Sequence, residues 1–160
     1  MRALIQRVSK AAVYVDNHPP ARIGQGLVIL LGVHQEDTLK DLNFVAEKCA
    51  HLRIFADDQG KMNRSLLDIN GEALVVSQFT LYGDTRKGRR PSFISAAAPE
   101  KADALYEQFV AHFKNLGIEA QTGVFGAHMH VEIHNDGPVT LMVENPRKDT
   151  GQRTQSTKPV

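Results

Sequence analysis

Four consecutive residues, Ser77-Gln78-Phe79-Thr80, place two hydroxyls and an amide at the end of an apolar run, with Leu81 following. A hydroxyl becomes a nucleophile only when a base takes its proton, usually a histidine held by an acid. No G-x-S-x-G elbow surrounds Ser77 or Thr80, and the sequence assigns neither of them a histidine. Two readings stay open here: a nucleophilic hydroxyl, or a hydroxyl satisfied structurally at a strand end. A second segment, Asn135-Asp136-Gly137-Pro138-Val139-Thr140, sets Gly-Pro inside what reads as a strand hairpin. Proline cannot donate to a sheet ladder, and glycine before it opens backbone conformations closed to other residues. From the residues alone, Asp136-Gly137 is a hairpin turn, with Pro138 starting an edge strand.

Three further groups could do chemistry. His128, His130, Glu132 and His134 alternate, so they share one strand face. Their types suit zinc, but same-face neighbours on a strand lie about 7 Å apart, and one straight strand cannot wrap four ligands round an ion. Met129, Val131 and Ile133 take the buried face, which leaves the histidines in solvent, and no metal site is assigned. Cys49 recurs at helical spacing with Leu42, Val45, Ala46 and Leu52, and reads as a small core residue. The run Arg86-Lys87-Gly88-Arg89-Arg90 gathers four cations in five positions. By charge alone it is a solvated loop; its place just after 77–81 makes phosphate contact the competing reading.

The elements that must position these residues are legible in part. Two alternating stretches, 3–8 and 11–16, read as strand, with a turn at Asn17-His18-Pro19-Pro20. The apolar run 27–33 suits a buried strand. Thr38 with Asp41 resembles a capping box, and helix is expected over 38–51. Strands are expected at 52–55 and from 73 through 81, followed by a long connection over 83–98. Pro99 suits the first turn of a second helix, whose apolar face runs from Ala102 to Leu116 and which Gly117 ends. Closing strands are expected at 118–122, 129–134 and 139–143. Two helices with strands of mixed spacing indicate an α+β domain with a mostly antiparallel sheet.

With 160 residues, of which 42% are hydrophobic and 23% charged, the chain reads as one soluble domain over 1–145. Residues 146–160 read as a polar, flexible tail. No apolar stretch approaches the roughly 20 residues of a membrane helix, so no membrane is expected. The lone Cys49 and the absence of a signal-peptide layout point to a cytoplasmic protein. A net charge of +1 gives no general attraction to nucleic acid.

The two opening segments, together with Ala3-Leu4-Ile5-Gln6-Arg7-Val8, Gly60-Lys61-Met62-Asn63, Asp84-Thr85-Arg86 and Arg90-Pro91-Ser92-Phe93, resemble the D-aminoacyl-tRNA deacylases (the D-tyrosyl-tRNA deacylase family) from Met1 to about Glu144. The resemblance implies a sheet curled into a barrel with two main flanking helices, paired as a homodimer. It implies hydrolysis of the ester of D-aminoacyl-tRNA, and of glycine mischarged on tRNA, with no cofactor. Ser77, Gln78, Phe79 and Thr80 carry over as the catalytic segment, the main-chain amides of Phe79 and Thr80 facing the developing oxyanion. Because the ester is already activated and lies beside a ribose hydroxyl, hydrolysis without a protein nucleophile is the preferred mechanism. The Gly137-Pro138 peptide carries over as a cis wall entering the partner's site, with which an L side chain would collide. Arg7 carries over as the residue orienting that wall; from the residues alone it is a strand cation. Phe125 and Met129 carry over as the lining near the terminal adenosine, and equally suit plain core. Two other functions stay open: an RNA-binding module that binds tRNA through 86–90 without cleaving it, and a general Ser/Thr esterase. The chain departs from the family pattern at the Pro-rich 17–22 turn and in the tail, which offers Arg147, Lys148 and Arg153 to RNA.

Overall fold

The computed structural model describes residues 1–146, and the tail with Arg147, Lys148 and Arg153 lies outside them. In chain order the elements are β1 (Arg2–Tyr14), β2 (Ala21–Ile23), β3 (Gly26–Gly32), α1 (Leu39–His51), β4 (Phe55–Ala56), β5 (Met62–Arg64), β6 (Glu72–Ser77), a 3-10 turn (Phe79–Tyr82), α2 (Pro99–Asn115), β7 (Ala120–Thr122) and β8 (His130–Glu144).

The two alternating stretches near the N-terminus are one strand, and side-chain parity explains how. Ala3 and Ile5 face the helices, while Val8, Ala11 and Val13 face the opposite side. Val8 to Ala11 is an odd step, which strict alternation would split between two faces. The ladder against β8 slips between Val8 and Lys10, and that slip returns Ala11 and Val13 to the face of Val8.

β1 pairs antiparallel with β8 along its length, with β3 from Arg2 to Val8, and with β2 from Ala11 to Val13. β3 with β6, and β6 with β7, are parallel. The sheet is therefore mixed, antiparallel in the three pairings of β1 and parallel in these two. Parallel neighbours need crossovers, and α1 lies in the first connection and α2 in the second. The cause is visible in β3 and β6, whose apolar runs are continuous because both faces are covered. Leu27, Ile29, Leu31, Ala73 and Val75 pack under the helices, whereas Val28, Leu74 and Val76 fill the other side. There the sheet curls into a nearly closed barrel around Val8, Ala11, Val13 and Ile23. Gly26 is required where β3 meets β6, since a Cβ there would sit 1.8 Å from the Glu72 carbonyl oxygen.

Helix α1 begins as expected: the Asp41 carboxylate accepts the Thr38 N–H and hydroxyl, each at 2.8 Å. Cys49 is fully buried in its inner face, and burial pushes the thiol up to about 12. Helix α2 starts on Pro99 and seals the core with Phe109 and Phe113, whose burial is worth roughly 1.5–3 kcal/mol each. Several expected boundaries differ. Of the 52–55 stretch only Phe55 is strand, opening β4 in a short hairpin with β5. Strand β6 stops at Ser77 instead of continuing to Leu81. The 129–134 and 139–143 strands are one strand, β8, because β1 pairs with it on both sides of the Gly-Pro step. Among the described residues, no helix is long and apolar enough to cross a membrane.

Candidate active site

Where β6 ends, the Gln78 N–H makes a last rung to the Leu31 carbonyl at 2.8 Å. The chain then tightens into the 3-10 turn, closed by the Gly83 N–H donating to Thr80 O at 2.9 Å. The first amides of any helical turn lack an intrahelical acceptor. Among the described residues, the N–H groups of Phe79 and Thr80 meet no acceptor at all. The Thr80 hydroxyl accepts a hydrogen bond from the Gln78 side-chain amide, and among the described residues no histidine is bonded to it. The Phe79 ring is 54% exposed and meets Phe93 edge-on at 5.0 Å.

Beside this turn lies a cavity of about 590 Å³, mostly apolar, lined by Ser77, Gln78, Phe79, Phe125 and Met129. Leu31, Val33, Ala96, Ala97, Ala102, His128 and Val131 are also part of its wall. The Phe125 ring lies 6.1 Å from Tyr106, whose buried hydroxyl donates to Val75 O at 2.7 Å. Burial holds that phenol up near 12, so it stays a donor and ties α2 to β6 under the cavity. Met129 reaches the cavity because Gly123 leaves room: a Cβ there would come 2.4 Å from the Met129 sulfur.

The second sequence segment is an excursion, not a hairpin. Gln6 pairs with Thr140 and Val8 with Asn135, so Arg7 alone spans residues 136–139. Asn135 stitches the neck, its amide donating to Arg7 O at 2.9 Å and to Val139 O at 3.0 Å. The Arg7 guanidinium donates to Ile54 O at 2.7 Å and to Asp136 O at 3.1 Å. It also stands 3.4 Å from the Asp136 carboxylate. Gly137 has φ +123°, the Gly137-Pro138 peptide is cis, and both residues are exposed.

The structure thus brings Ser77, Gln78, Phe79, Phe125 and Met129 to one cavity, with Thr80 on the adjoining turn. It brings Arg7, Gly137 and Pro138 together elsewhere; none of these three is among the described residues lining the cavity. His128, His130, Glu132 and His134 are exposed as expected, with Met129, Val131 and Ile133 turned inward. Among the described residues, no three His, Cys, Asp or Glu gather as metal ligands. Sequence reading missed the cavity's small-residue wall at Ala96 and Ala97, for which the run of alanines was the available signal. It also missed the neck role of Asn135.

The D-Tyr-tRNA(Tyr) deacylase family matches residues 4–144. A D-aminoacyl-tRNA deacylase of Heliobacterium modesticaldum is 61% identical over 144 residues, covering 90% of this chain and 96% of the relative. Another, of Shouchella clausii (strain KSM-K16), is 57% identical over 145 residues, covering 91% and 99%. In three dimensions the chain is similar to the c-Myc DNA unwinding element binding protein, with a TM-score of 0.85 and 40% identity. That likeness covers 92% of this chain and 100% of the other. On the extent and identity of these matches, the chain belongs to the D-Tyr-tRNA(Tyr) deacylase family.

Proposed function

We propose that this protein hydrolyses the ester joining a D-amino acid, or mischarged glycine, to tRNA, acting as a homodimer in the cytoplasm. Family membership and the names of the relatives support the hydrolase. The observation that carries the finer reading is a separation. The ester-handling residues line a cavity, while the Gly137-Pro138 excursion is braced by Arg7 outside it. A two-fold dimer would lend each excursion to the other chain's cavity.

In this mechanism, the cavity receives the terminal nucleoside, with Phe125 and Met129 against the base; stacking there is worth roughly 1–3 kcal/mol. The ester carbonyl lies toward the free amides of Phe79 and Thr80, which are fixed before charge develops. The neighbouring ribose hydroxyl assists water, and Ser77 and Gln78 shape the pocket. Main-chain carbonyls of the partner's Gly137 and Pro138 stand beside the substrate α-carbon. A D side chain points away from them, an L side chain collides, and glycine passes because it has nothing to collide. Rejection by backbone atoms leaves the identity of the D side chain unread.

Hydrolysis of matched D-tyrosyl- and L-tyrosyl-tRNA tests this: rapid loss of the D ester and survival of the L ester is expected. Equal cleavage of both would remove the chiral reading. Binding without cleavage would favour the RNA-binding module, and cleavage of simple esters would favour the general esterase. Mixed dimers test the exchange. A chain disabled at Phe79, paired with one altered at Gly137 and Pro138, should regain one intact site. No recovery overturns the cross-subunit arrangement.

A further inference from the structure

The basic run is not uniform once folded. Asp84 and Ser92 exchange both backbone hydrogen bonds, at 2.8 and 2.9 Å, and pinch residues 84–92 into a closed loop. Arg86 belongs to that pinch. Its N–H, Nε and Nη2 all donate to the Asp84 carboxylate, at 3.0, 2.9 and 2.7 Å. Lys87, Arg89 and Arg90 are different. They are exposed, and among the described residues they make no hydrogen bond and no ion pair.

Three like charges on one short loop repel one another, and among the described residues none of the three has a carboxylate partner. The loop is also tethered to the site. Gly83 donates to Thr80 O, and a Cβ at Gly83 would sit 2.9 Å from the Phe93 ring, which itself abuts Phe79. No loop residue is more than four residues from the pinched base, which confines the backbone of the three cations to within about 14 Å of it. The base of the loop therefore adjoins the Phe79 side of the cavity.

We propose that Lys87, Arg89 and Arg90 form a phosphate clamp that grips the backbone of the tRNA acceptor end beside the esterified nucleotide. The proposal rests on the deacylase reading and adds where the RNA is held. Point charges on a flexible single strand give affinity independent of base sequence, and Arg86 holds the loop's base without touching RNA.

The test is the variant Lys87→Gln/Arg89→Gln/Arg90→Gln, assayed on D-tyrosyl-tRNA and on the D-tyrosyl ester of adenosine, which carries no phosphate. The expected result is a rise in KM for the tRNA of at least tenfold, and a fall by a similar factor in the preference for tRNA over the adenosine ester. The slope of log KM against log salt should fall by about 2, at roughly 0.7 per phosphate contact. A KM and salt slope equal to those of the unaltered protein overturn the clamp while leaving the deacylase intact. If the unaltered protein cleaves neither substrate, the deacylase reading fails instead. Binding of uncharged tRNA across a salt series then judges the clamp: a reduced slope in the variant supports it, and an unchanged slope overturns it.

Discussion

Thr80 accepts a hydrogen bond from the Gln78 amide, and among the described residues no histidine is bonded to it to take its proton. Thr80→Ala should therefore keep most of the activity on D-tyrosyl-tRNA. Near-complete loss in a folded variant that still binds tRNA would make Thr80 the nucleophile. Arg7 works through geometry: its fork joins Ile54 O to Asp136 O, so Arg7→Ala should let the excursion drift. Losing a charged hydrogen bond costs roughly 1.5–3 kcal/mol, and the D/L rate ratio should fall about tenfold or more. Arg7→Lys should restore little, because a point charge cannot bridge two carbonyls as a planar fork does. An unchanged ratio in both variants would detach Arg7 from selectivity. The Arg7 partners, at Ile54 and Asp136, are distant in sequence, which is why its residue type alone shows only a strand cation. The Thr80 hydroxyl, by contrast, has its Gln78 partner only two residues away.

Among the elements, the helices were legible because each carries its own evidence: a 3.6-residue period, the Thr38–Asp41 box and Pro99 at the start. The 3-10 turn was not, since Phe79–Tyr82 is too short to show a period and its apolar residues extend the strand pattern. Strand β8 was read as two because Gly-Pro is a local breaker. Pairing with β1 on both sides overrides that local signal, and the extra residues leave as an excursion. Its neck rests on one side chain, so Asn135→Ala should destabilise the fold by about 1–3 kcal/mol, read as a lower denaturation midpoint. The base of the 84–92 loop offers a pH test. Hydrogen bonds from Arg86 hold the Asp84 carboxyl down at about 2, against its ordinary 3.8. A depressed carboxylate stabilises above the ordinary value and loses that contribution as pH falls toward the lowered one. The loop base should hold from neutrality down to pH 4 and open toward pH 2, as followed by the Arg86 side-chain resonances. Opening near pH 6 would contradict the ion pair.

At the scale of the whole molecule, two apolar clusters share one sheet, with helices covering one face and the barrel closing on the other. Cys49 reports on the first. Burial raises its thiol from 9.0 to about 12, and the thiolate is the reactive form. Native protein should resist thiol reagents at pH 8 and label only as fast as it unfolds. Rapid labelling without unfolding would mean the cluster opens locally. Because that pKa is raised, the associated stability is whole below pH 9 and lost as pH climbs toward 12. Strand β8 is paired by β1 on one side, and Leu141 and Met142 are 40% and 46% exposed on it. The proposed homodimer should sediment as two chains. Leu141→Glu/Met142→Glu should yield monomers that no longer distinguish D from L esters; an unaltered assembly would exclude this strand from the contact.

β1 touches both halves of the proposed chemistry. Its Arg2 donates to Leu81 O in the 3-10 turn at 2.9 Å, and its Arg7 braces the excursion. Five strand residues make a ruler of about 17 Å between the two. Adding or deleting one residue within that interval would shift both anchors against their targets and invert every side chain beyond the change. The spacing from Arg2 to Arg7 is thus a length the protein can alter in residue type but not in count.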